Sequence, residues 1–396
     1  MNEITDFCTG CGTCVSVCQQ DAISIVETKG YYTATINRDK CNECGLCRKV
    51  CPKVAKPKNK VSTPILIVKG YAKNQSIRFR ATSGGIVTAL LAAMLEDKEI
   101  DAALVVRKKR ETDFISFEPY WAEDVQSVIA SSGSAYQPVA LNTRLSEIKS
   151  FNKIAVVGLP CHIQGVRKYL ELYPRAKSRV SIIIGLTCSH NISKLGTRFL
   201  LKSASVARLD DLFYRGNGWP SGVRLIEGQK EHFFHNLHSL WADLFASFCF
   251  CPPYCLRCAD DLAEYSDINV SDAWLPEELS QKENTGSSII SIWTKTGSEL
   301  FDKYQDLFKV KKITCKALKD SQKYSLFFKK HIFSNRMGII SNLIFILIRI
   351  LNFISFSSSF RLLPMNLQIF YIKLSRKLIY KSLRLSRKVN IYFANN

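Results

Sequence analysis

The stretch that decides the N-terminal fold is Cys8-Thr-Gly-Cys11-Gly-Thr-Cys14-Val-Ser-Val-Cys18, and its spacing returns as Cys41-Asn-Glu-Cys44-Gly-Leu-Cys47-Arg-Lys-Val-Cys51. Both runs follow the pattern C-x2-C-x2-C-x3-C. Three thiolates at this spacing on a tight loop can face one four-iron cluster, while the fourth thiolate of each run ligates the cluster of the other run. The pattern predicts a small α+β domain with two 4Fe-4S clusters, as in bacterial ferredoxins.

The predicted ligand sets of the two clusters interleave. The first cluster takes Cys8, Cys11, Cys14 and Cys51, and the second takes Cys41, Cys44, Cys47 and Cys18. We expect the fourth cysteine of each run to head a short helix, and residues 22–36 to form a hairpin that turns at Lys29-Gly30. Two zinc knuckles are the alternative, but zinc sites prefer four ligands in paired spacing.

Composition bounds the class of protein. The chain has 396 residues and 15 cysteines, and 46% hydrophobic with 22% charged residues is typical of globular domains. This length predicts two to three domains. The first residues carry no basic segment followed by an apolar stretch, so we expect no secretory signal and a cytoplasmic protein. In that reducing compartment, dense cysteine usage indicates metal ligation or redox chemistry rather than disulfides.

Beyond a lysine- and proline-rich linker near residue 60, the pattern predicts an α/β body, with a mostly parallel sheet and flanking helices. Predicted strands include residues 65–68 and 102–106, and a glycine turn at 83–85 opens a helix. Residues 153–158 and 180–185 are continuous apolar runs, typical of strands that are buried on both faces of a parallel sheet. A crossover helix fits residues 164–173 between them.

Each of these two buried strands runs into a cysteine, Cys161 or Cys188. If the strands are parallel neighbours, both thiols lie past the carboxyl ends of the sheet, where ligands bind in open α/β folds. Cys255 and Cys258 add a C-x-x-C pair on a loop. Four thiols suffice for a third 4Fe-4S cluster or for zinc, and the strand-end cysteines are otherwise small buried hydrophobes. Three cysteines remain without a role: Cys249, Cys251 and Cys315. Either Cys249 or Cys251 could replace a strand-end ligand.

Four motifs follow the cysteine runs in order: Ala81-Thr-Ser-Gly-Gly-Ile86, Gly158-Leu-Pro-Cys-His-Ile-Gln-Gly-Val166, Tyr214-Arg-Gly-Asn-Gly-Trp-Pro-Ser-Gly222 and Asp267-Ile-Asn-Val-Ser-Asp-Ala-Trp274. With them, residues 1–320 resemble the coenzyme F420 hydrogenase/dehydrogenase beta-subunit family, in the branch with a fused ferredoxin domain that often occurs in polysaccharide-synthesis contexts. The sequence departs from the family at His162, where glutamine is usual, at Ser271, where glycine is usual, and at 189–191.

The resemblance implies an iron–sulfur flavoprotein oxidoreductase. Members bind FAD beside a 4Fe-4S cluster and pass electrons between that cluster and a deazaflavin or another reducible organic substrate. The family pattern puts cluster ligands at Cys161, Cys255 and Cys258, with Cys188 as the fourth. The expected partners are an organic substrate and a redox partner protein or ferredoxin-type donor. The alternative is an electron-transfer module without its own substrate, which delivers electrons to a partner enzyme.

Three segments are candidates for flavin chemistry. Thr82, Ser83, Gly84 and Gly85 begin a helix whose positive N-terminus suits a flavin phosphate, unless Ser83 merely caps that helix. In the second segment, Gly216 and Gly218 allow the backbone to approach a planar ring closely. Trp219 could stack on that ring, and Arg215 could offset the negative charge of the reduced flavin. A plain tight turn is the alternative. Asp272 is a candidate acid–base residue, with structural hydrogen bonding as the alternative.

Residues 321–396 contain 13 Lys/Arg and no Asp or Glu, so the first 320 residues carry a net charge of only +8. Residues 339–356 form a marginal membrane span that Arg349 interrupts. From residue 366 a basic amphipathic helix is predicted, with an apolar face of Leu367, Tyr371, Leu374, Leu378, Leu385 and Val389 and a basic face of Lys373, Arg376, Lys377, Lys381, Arg384, Arg387 and Lys388.

Such a helix favours peripheral attachment to an anionic membrane surface. Packing on the body or on another subunit is the alternative, and we expect no nucleic-acid binding because base-reading motifs are lacking. The predicted organisation is a ferredoxin domain at 1–58, an N-terminal α/β domain at 65–150, a C-terminal domain at 151–325 and a basic helical tail at 329–396.

Overall fold

The computed structural model describes residues 7–58, 60–61, 63–280, 284–334 and 338–394. In chain order the strands are β1 (Ile23–Thr28), β2 (Tyr31–Ile36), β3 (Leu66–Ala72), β4 (Ala102–Arg110), β5 (Ile115–Ala122), β6 (Ile154–Gly158), β7 (Val180–Leu186), β8 (Asp211–Phe213), β9 (Gly222–Glu227), β10 (Lys230–His235), β11 (Ile268–Asp272), β12 (Ser288–Ile292) and β13 (Phe308–Lys312). The helices are α1 (Thr13–Ser16), α2 (Leu46–Lys49), α3 (Gln75–Arg80), α4 (Ile86–Glu96), α5 (Val125–Ala130), α6 (Pro160–Leu172), α7 (Pro174–Lys177), α8 (Lys194–Ser203), α9 (Leu240–Ala246), α10 (Pro276–Ser280), α11 (Lys295–Tyr304), α12 (Cys315–Ser321), α13 (Lys323–Phe327), α14 (Gly338–Ser355), α15 (Ser358–Leu362) and α16 (Met365–Ala394).

The N-terminal domain contains the predicted hairpin and two one-turn helices. Strands β1 and β2 pair antiparallel, and Lys29 and Gly30 turn the chain with positive φ angles, which confirms the hairpin. The expectation that the fourth cysteine heads each helix is wrong. Helices α1 and α2 begin directly after Gly12 and Gly45, so the third cysteine of each run lies inside the helix and the fourth follows its end.

The body is built on one eight-stranded sheet, whose strand order is β13-β3-β12-β11-β7-β6-β4-β5. The central strands β4, β6, β7 and β11 pair parallel, whereas β5, β12 and β13 pair antiparallel with their neighbours. The α/β class is therefore confirmed, with a sheet whose strand pairs are parallel at its centre and antiparallel at both sides. A separate three-stranded sheet has the order β10-β9-β8.

Helices cover both faces of the large sheet, which explains the continuous apolar runs in its central strands. On one face Ala155 and Val157 of β6 pack with residues of α4 and α11. On the other face Ile154 and Val156 of the same strand pack with residues of α6. Side chains of a strand alternate between faces, so a strand that is covered twice needs apolar residues at every position.

The linker and the C-terminal helices both lie against the body. In the linker, Lys56, Lys58 and Lys60 bond to Gln164, Glu171 and Glu264, respectively. Helix α16 packs against α9 and α14. Among the helices that the structure describes, none has the length and apolar character that crossing a membrane requires.

The face that α16 packs against the protein is not the predicted apolar face, which the alternative of packing on the body would have required. Its buried apolar side chains are Ile372, Ile379 and Leu383. Four others stay exposed, namely Leu367, Phe370, Leu374 and Leu378. Tyr371 donates a hydrogen bond to the Leu351 carbonyl, and Arg376 pairs with Asp243. The side chains of Leu385, Arg387, Lys388 and Val389 lie outside the described residues.

Candidate functional site

The first cysteine loop points backbone N–H groups at sulfur. Cys8 Sγ accepts hydrogen bonds from the amides of Gly10 and Ala34, each at 3.4 Å. A Cβ atom on Gly10 would lie 2.7 Å from the Tyr32 carbonyl oxygen, so this position requires glycine. Hydrogen bonds of this kind to sulfur are one of the factors that set the potential of a cluster.

Electrostatic interactions place the fourth cysteine of the second run beside the first run. Burial raises the pKa of Cys14, and further thiols add to that rise: Cys11, Cys8, Cys51 and Cys47. Burial also raises the pKa of Cys51, to which Cys11 contributes. The pKa of Cys47 is raised by burial and then by Cys41 and Cys44 of its own run. This grouping brings Cys51 to the thiols of the first run, as the first predicted ligand set requires.

A second group of thiols gathers at the carboxyl edge of the large sheet. Strands β6 and β7 are parallel neighbours. Cys161 lies in the first turn of α6 just past β6, and Cys188 follows the end of β7. The loop that carries Cys255 and Cys258 contains a single 3₁₀ turn, and just after it the Asp261 carbonyl oxygen accepts a hydrogen bond from the Cys188 N–H. Both thiols of the C-x-x-C pair interact electrostatically with Cys188. The four cysteines that the sequence singled out here are thus brought together.

The ionisation of these thiols shows how close they are. Burial raises the pKa of Cys161, and Cys188, Cys258, Cys11 and Cys255 raise it further. The pKa of Cys255 is instead lowered, because hydrogen bonds from the Cys251 thiol and the Asn191 amide, with the charge of Lys329, outweigh its burial.

The three cysteines without a predicted role lie in different places. Cys251 is buried beside Cys255, whereas Cys249 is buried in another apolar cluster and Cys315 is exposed. Within the described residues, no three His, Cys, Asp or Glu side chains converge closely enough to hold a single metal ion. A cubane distributes its thiolates over four irons and does not require such convergence.

Two lysines next to the strand-end thiols escaped the sequence analysis. Lys329 is 2% exposed, and its Nζ donates to the Asp260 carbonyl oxygen at 2.7 Å and to Cys258 Sγ at 3.4 Å. Burial lowers its pKa, but the neighbouring thiols Cys258 and Cys188 raise it above the ordinary value. The other is Lys56 of the linker. No local pattern marks either residue, because each reaches the site only through the tertiary fold.

Asn142 connects the two groups of cysteines. It is fully buried, and its Nδ2 donates to Thr13 Oγ1 at 2.9 Å and to the His162 carbonyl oxygen at 2.8 Å. Its backbone N–H donates to the Cys11 carbonyl oxygen at 2.8 Å. One side chain therefore holds the first cluster loop against the turn that carries Cys161.

Arg215 brings three of the flavin-candidate motifs together. Its side chain is buried, donates from Nη2 to the Thr82 carbonyl oxygen at 2.9 Å and forms an ion pair with Asp272. Burial lowers the pKa of Arg215, but Asp272 and Tyr136 raise it above its ordinary value. Its Nε atom has no hydrogen-bond partner within the part of the chain that is described. A buried guanidinium N–H without a hydrogen-bond partner fits a ligand that carries an acceptor.

The loop before α4 is fixed to the sheet. The residue that caps α4 is Gly85, with φ of 74°, so the alternative that Ser83 caps this helix is wrong. Ser83 Oγ instead hydrogen-bonds to Ser288 Oγ at 2.7 Å, and the Gly84 amide donates to the same oxygen. Ser288 is 205 residues from Ser83 in the sequence, so local sequence does not reveal this pairing.

The Trp219 segment makes its close contacts with protein. The Trp219 ring packs on Trp274 with centroids 4.6 Å apart, and a Cβ on Gly286 would lie 2.7 Å from it. A Cβ on Gly216 would lie 2.6 Å from the Arg80 carbonyl oxygen, and one on Gly218 would lie 2.3 Å from Asn284 Oδ1. These contacts favour the tight-turn alternative for Gly216 and Gly218.

Comparisons with known proteins agree with the resemblance. Residues 67–146 match the family model "Coenzyme F420 hydrogenase/dehydrogenase, beta subunit N-term", residues 151–316 match the model for the carboxyl-terminal part of the same family, and residues 7–55 match a 4Fe-4S dicluster domain. A coenzyme F420-dependent sulfite reductase of Methanocaldococcus jannaschii is 27% identical over 322 residues, 76% of this chain and 46% of that protein. The chain thus spans about half the length of that relative.

Two further similarities cover more of the other protein. The coenzyme F420 hydrogenase subunit beta of Methanococcus voltae is 23% identical over 252 residues, which are 60% of this chain and 79% of that protein. A chain from the F420-reducing [NiFe] hydrogenase complex of Methanosarcina barkeri aligns with a TM-score of 0.53 at 20% identity, over 71% of this chain and 95% of its own length. At this identity the structural match establishes the fold alone.

Proposed function

Because this chain belongs to the coenzyme F420 hydrogenase/dehydrogenase beta-subunit family and carries an N-terminal 4Fe-4S dicluster domain, we propose that it is an iron–sulfur flavoprotein oxidoreductase. Electrons pass between the two ferredoxin-type clusters, a third 4Fe-4S cluster, FAD and a reducible organic substrate. The names of relatives favour a deazaflavin as that substrate; the branch that the sequence resembles suggests a glycan-pathway substrate instead.

The observation that carries the proposal is the position of the strand-end thiols beside the first ferredoxin loop. The backbone N–H of Asn142 donates to the Cys11 carbonyl oxygen and its side chain donates to the His162 carbonyl oxygen, next to Cys161, so the two sites adjoin. The proposed ligands of the third cluster are Cys161, Cys188, Cys255 and Cys258. Their chemistry fits a cluster because all four are thiols and Lys329 donates to the sulfur of Cys258.

The protein's own residues supply position and charge. Asn142 fixes the distance between the ferredoxin loop and the turn at Cys161 through its bonds to Thr13 and His162. Arg215 holds the Thr82 carbonyl and Asp272 in one place, and its free Nε offers a hydrogen bond to a flavin. Bound clusters supply one-electron steps, and a bound flavin converts them to two-electron chemistry on the substrate.

One observation favours the second candidate, an electron-transfer module without its own substrate. The ring that was expected to stack on a flavin, Trp219, is only 7% exposed and already packs on Trp274. Anaerobic purification, followed by counting iron, sulfide and flavin per chain, separates the enzyme from the electron-transfer module. About twelve irons with bound flavin support the enzyme, and the same iron count without flavin supports the module.

We further propose that the C-terminal helices attach the protein to the inner, anionic face of the cytoplasmic membrane. Exposed apolar side chains of α16, Phe370 at 63% among them, adjoin the exposed basic residues Lys373, Lys377 and Lys381. Replacing these three lysines by glutamine is expected to weaken binding to phosphatidylglycerol vesicles by about 3 kcal/mol. Glutamine at the exposed Lys309, Lys311 and Lys312 of β13 is the matched control, and equal effects of the two triple variants contradict the proposal.

A further inference from the structure

A buried ammonium group lies against the proposed third cluster, and it comes from outside the matched family domains. Lys329 belongs to a single π-helical turn, Phe328–Ile332, whereas the C-terminal family match ends at residue 316. The side chain is 2% exposed and is enclosed by the apolar cluster around Phe328 and Tyr254. Its Nζ bonds to the Asp260 carbonyl oxygen and to Cys258 Sγ.

Such a charge needs a negative counterpart, since an isolated ammonium in an apolar interior is very costly. The groups that face Lys329 are the thiols Cys258, Cys188 and Cys255 and the carboxyl of Asp261. His190, which is also buried there, interacts with the same ammonium. The neighbouring Lys330 is turned away and pairs with Glu264 at 2.8 Å. Asp261 supplies one negative charge, and the thiols would supply the rest as the thiolate ligands of a bound cluster.

A second lysine approaches the same thiols from the other end of the chain. Lys56 lies between the dicluster match, which ends at residue 55, and the next family match, which begins at 67. Its Nζ donates to Gln164 Oε1 at 2.7 Å, and Gln164 donates to Asp260. Lys56 also interacts electrostatically with Cys258 and Cys161. Two segments that neither beta-subunit domain includes thus each contribute one cation.

We propose that Lys329, assisted by Lys56, raises the reduction potential of the third cluster and so makes it an electron acceptor for the ferredoxin clusters. The inference rests on the proposed function, because it presupposes that cluster. Reduction adds one negative charge to a centre that already carries four thiolates. A fixed cation in a low-dielectric site stabilises this added charge, and hydrogen bonds to ligand sulfurs act in the same direction. The ferredoxin clusters have no comparable buried lysine among the described contacts of their cysteines.

The test is a redox titration of the full-length protein, followed by electron paramagnetic resonance. Lys329→Met keeps the length of the side chain and removes its charge. We expect the third cluster to become at least tenfold harder to reduce, which is a fall of about 59 mV for a one-electron couple. Lys329→Arg should retain most of the wild-type potential, and Lys323→Met, at an exposed position of α13, should leave it unchanged.

Lys56→Met provides an independent check if the Lys329 variant loses its third cluster. It should lower the potential in the same direction by a smaller amount, because Lys56 has no hydrogen bond to sulfur among its described contacts. If either methionine variant keeps its full iron count and the reduction potential of the third cluster is unchanged, the role proposed for the lysines is overturned but the proposed function is not. A wild-type count of only about eight irons per chain overturns the third cluster, and the proposed function with it.

Discussion

Replacing Gly165 by alanine is expected to loosen the ferredoxin domain from the body. Gly165 lies in α6, and a Cβ there would be 2.2 Å from Thr13 Oγ1 and 2.5 Å from Asn142 Nδ2. These are the two atoms of one hydrogen bond that joins α1 to the body; Ser16 Oγ makes another, to the Asn142 carbonyl oxygen. Unpairing a buried polar group costs about 1–3 kcal/mol and overpacking adds about 1–3 kcal/mol, while the better helix propensity of alanine returns about 1 kcal/mol. The expected net loss of docking free energy is about 3 kcal/mol.

Hydrogen exchange at one amide reports this loss directly. The Asn142 N–H donates to the Cys11 carbonyl oxygen across the same contact, so it exchanges only when the two parts separate. A loss of about 3 kcal/mol should speed its exchange by about two orders of magnitude. The amide of Ile290, within the large sheet, should be unaffected.

The reasoning also demands non-additivity. With Thr13→Ala the first of the two clashing atoms is gone, so adding Gly165→Ala to that variant should cost at least about 1 kcal/mol less than in the wild type. Unchanged exchange at Asn142 in the single variant would refute the close contact. Equal costs with and without Thr13 would show that the contact is not with this hydroxyl.

Three further predictions concern the cysteines, a histidine and the flavin. Cys258→Ser should remove about four irons per chain while Cys315→Ser, at an exposed thiol, removes none, and equal iron counts contradict the assignment. Burial lowers the pKa of His162 to about 4, so the folded state binds a proton at this residue more weakly than the unfolded state does. The free energy of unfolding should therefore fall by up to about 1.4 kcal/mol per pH unit as the pH drops below about 6.5. Denaturant unfolding at pH 7 and about pH 5 measures this slope, which His162→Gln should flatten. Arg215→Gln should weaken FAD binding at least about tenfold in a fluorescence titration, whereas Arg208→Gln, at an 83% exposed side chain, should not; equal affinities would remove Arg215 from the flavin site.

Local signals predicted much of this fold because the responsible residues are close in sequence. The cysteine spacing identifies the ferredoxin loops, and the hairpin around Gly30 follows from alternation over a few residues. The apolar runs of β6 and β7 indicated buried parallel strands, and the cysteine after each strand could then be placed at one edge of the sheet. Each of these inferences needed only one segment and a general rule of sheet geometry.

Other features depend on partners that sequence alone does not pair. Lys329 lies 71 residues from Cys258, and Ser83 meets Ser288 across the sheet. In α16 the helical period is compatible with two apolar faces. The positions of α9 and α14 decide that Ile372 and Ile379 are buried while Leu374 remains exposed. The position of the fourth cysteine after each short helix likewise depends on where a left-handed glycine begins that helix.

The distribution of residues around the strand-end thiols sets an order for the maturation of the polypeptide. The ferredoxin cysteines are complete once residue 51 has left the ribosome, so those centres can receive iron while translation continues. The buried cation beside Cys258 is in place only after residue 329 has been synthesised, because Lys329 supplies it. A chain that ends before residue 329 would therefore keep every thiol of this group but lack the positive charge that the fold places against them.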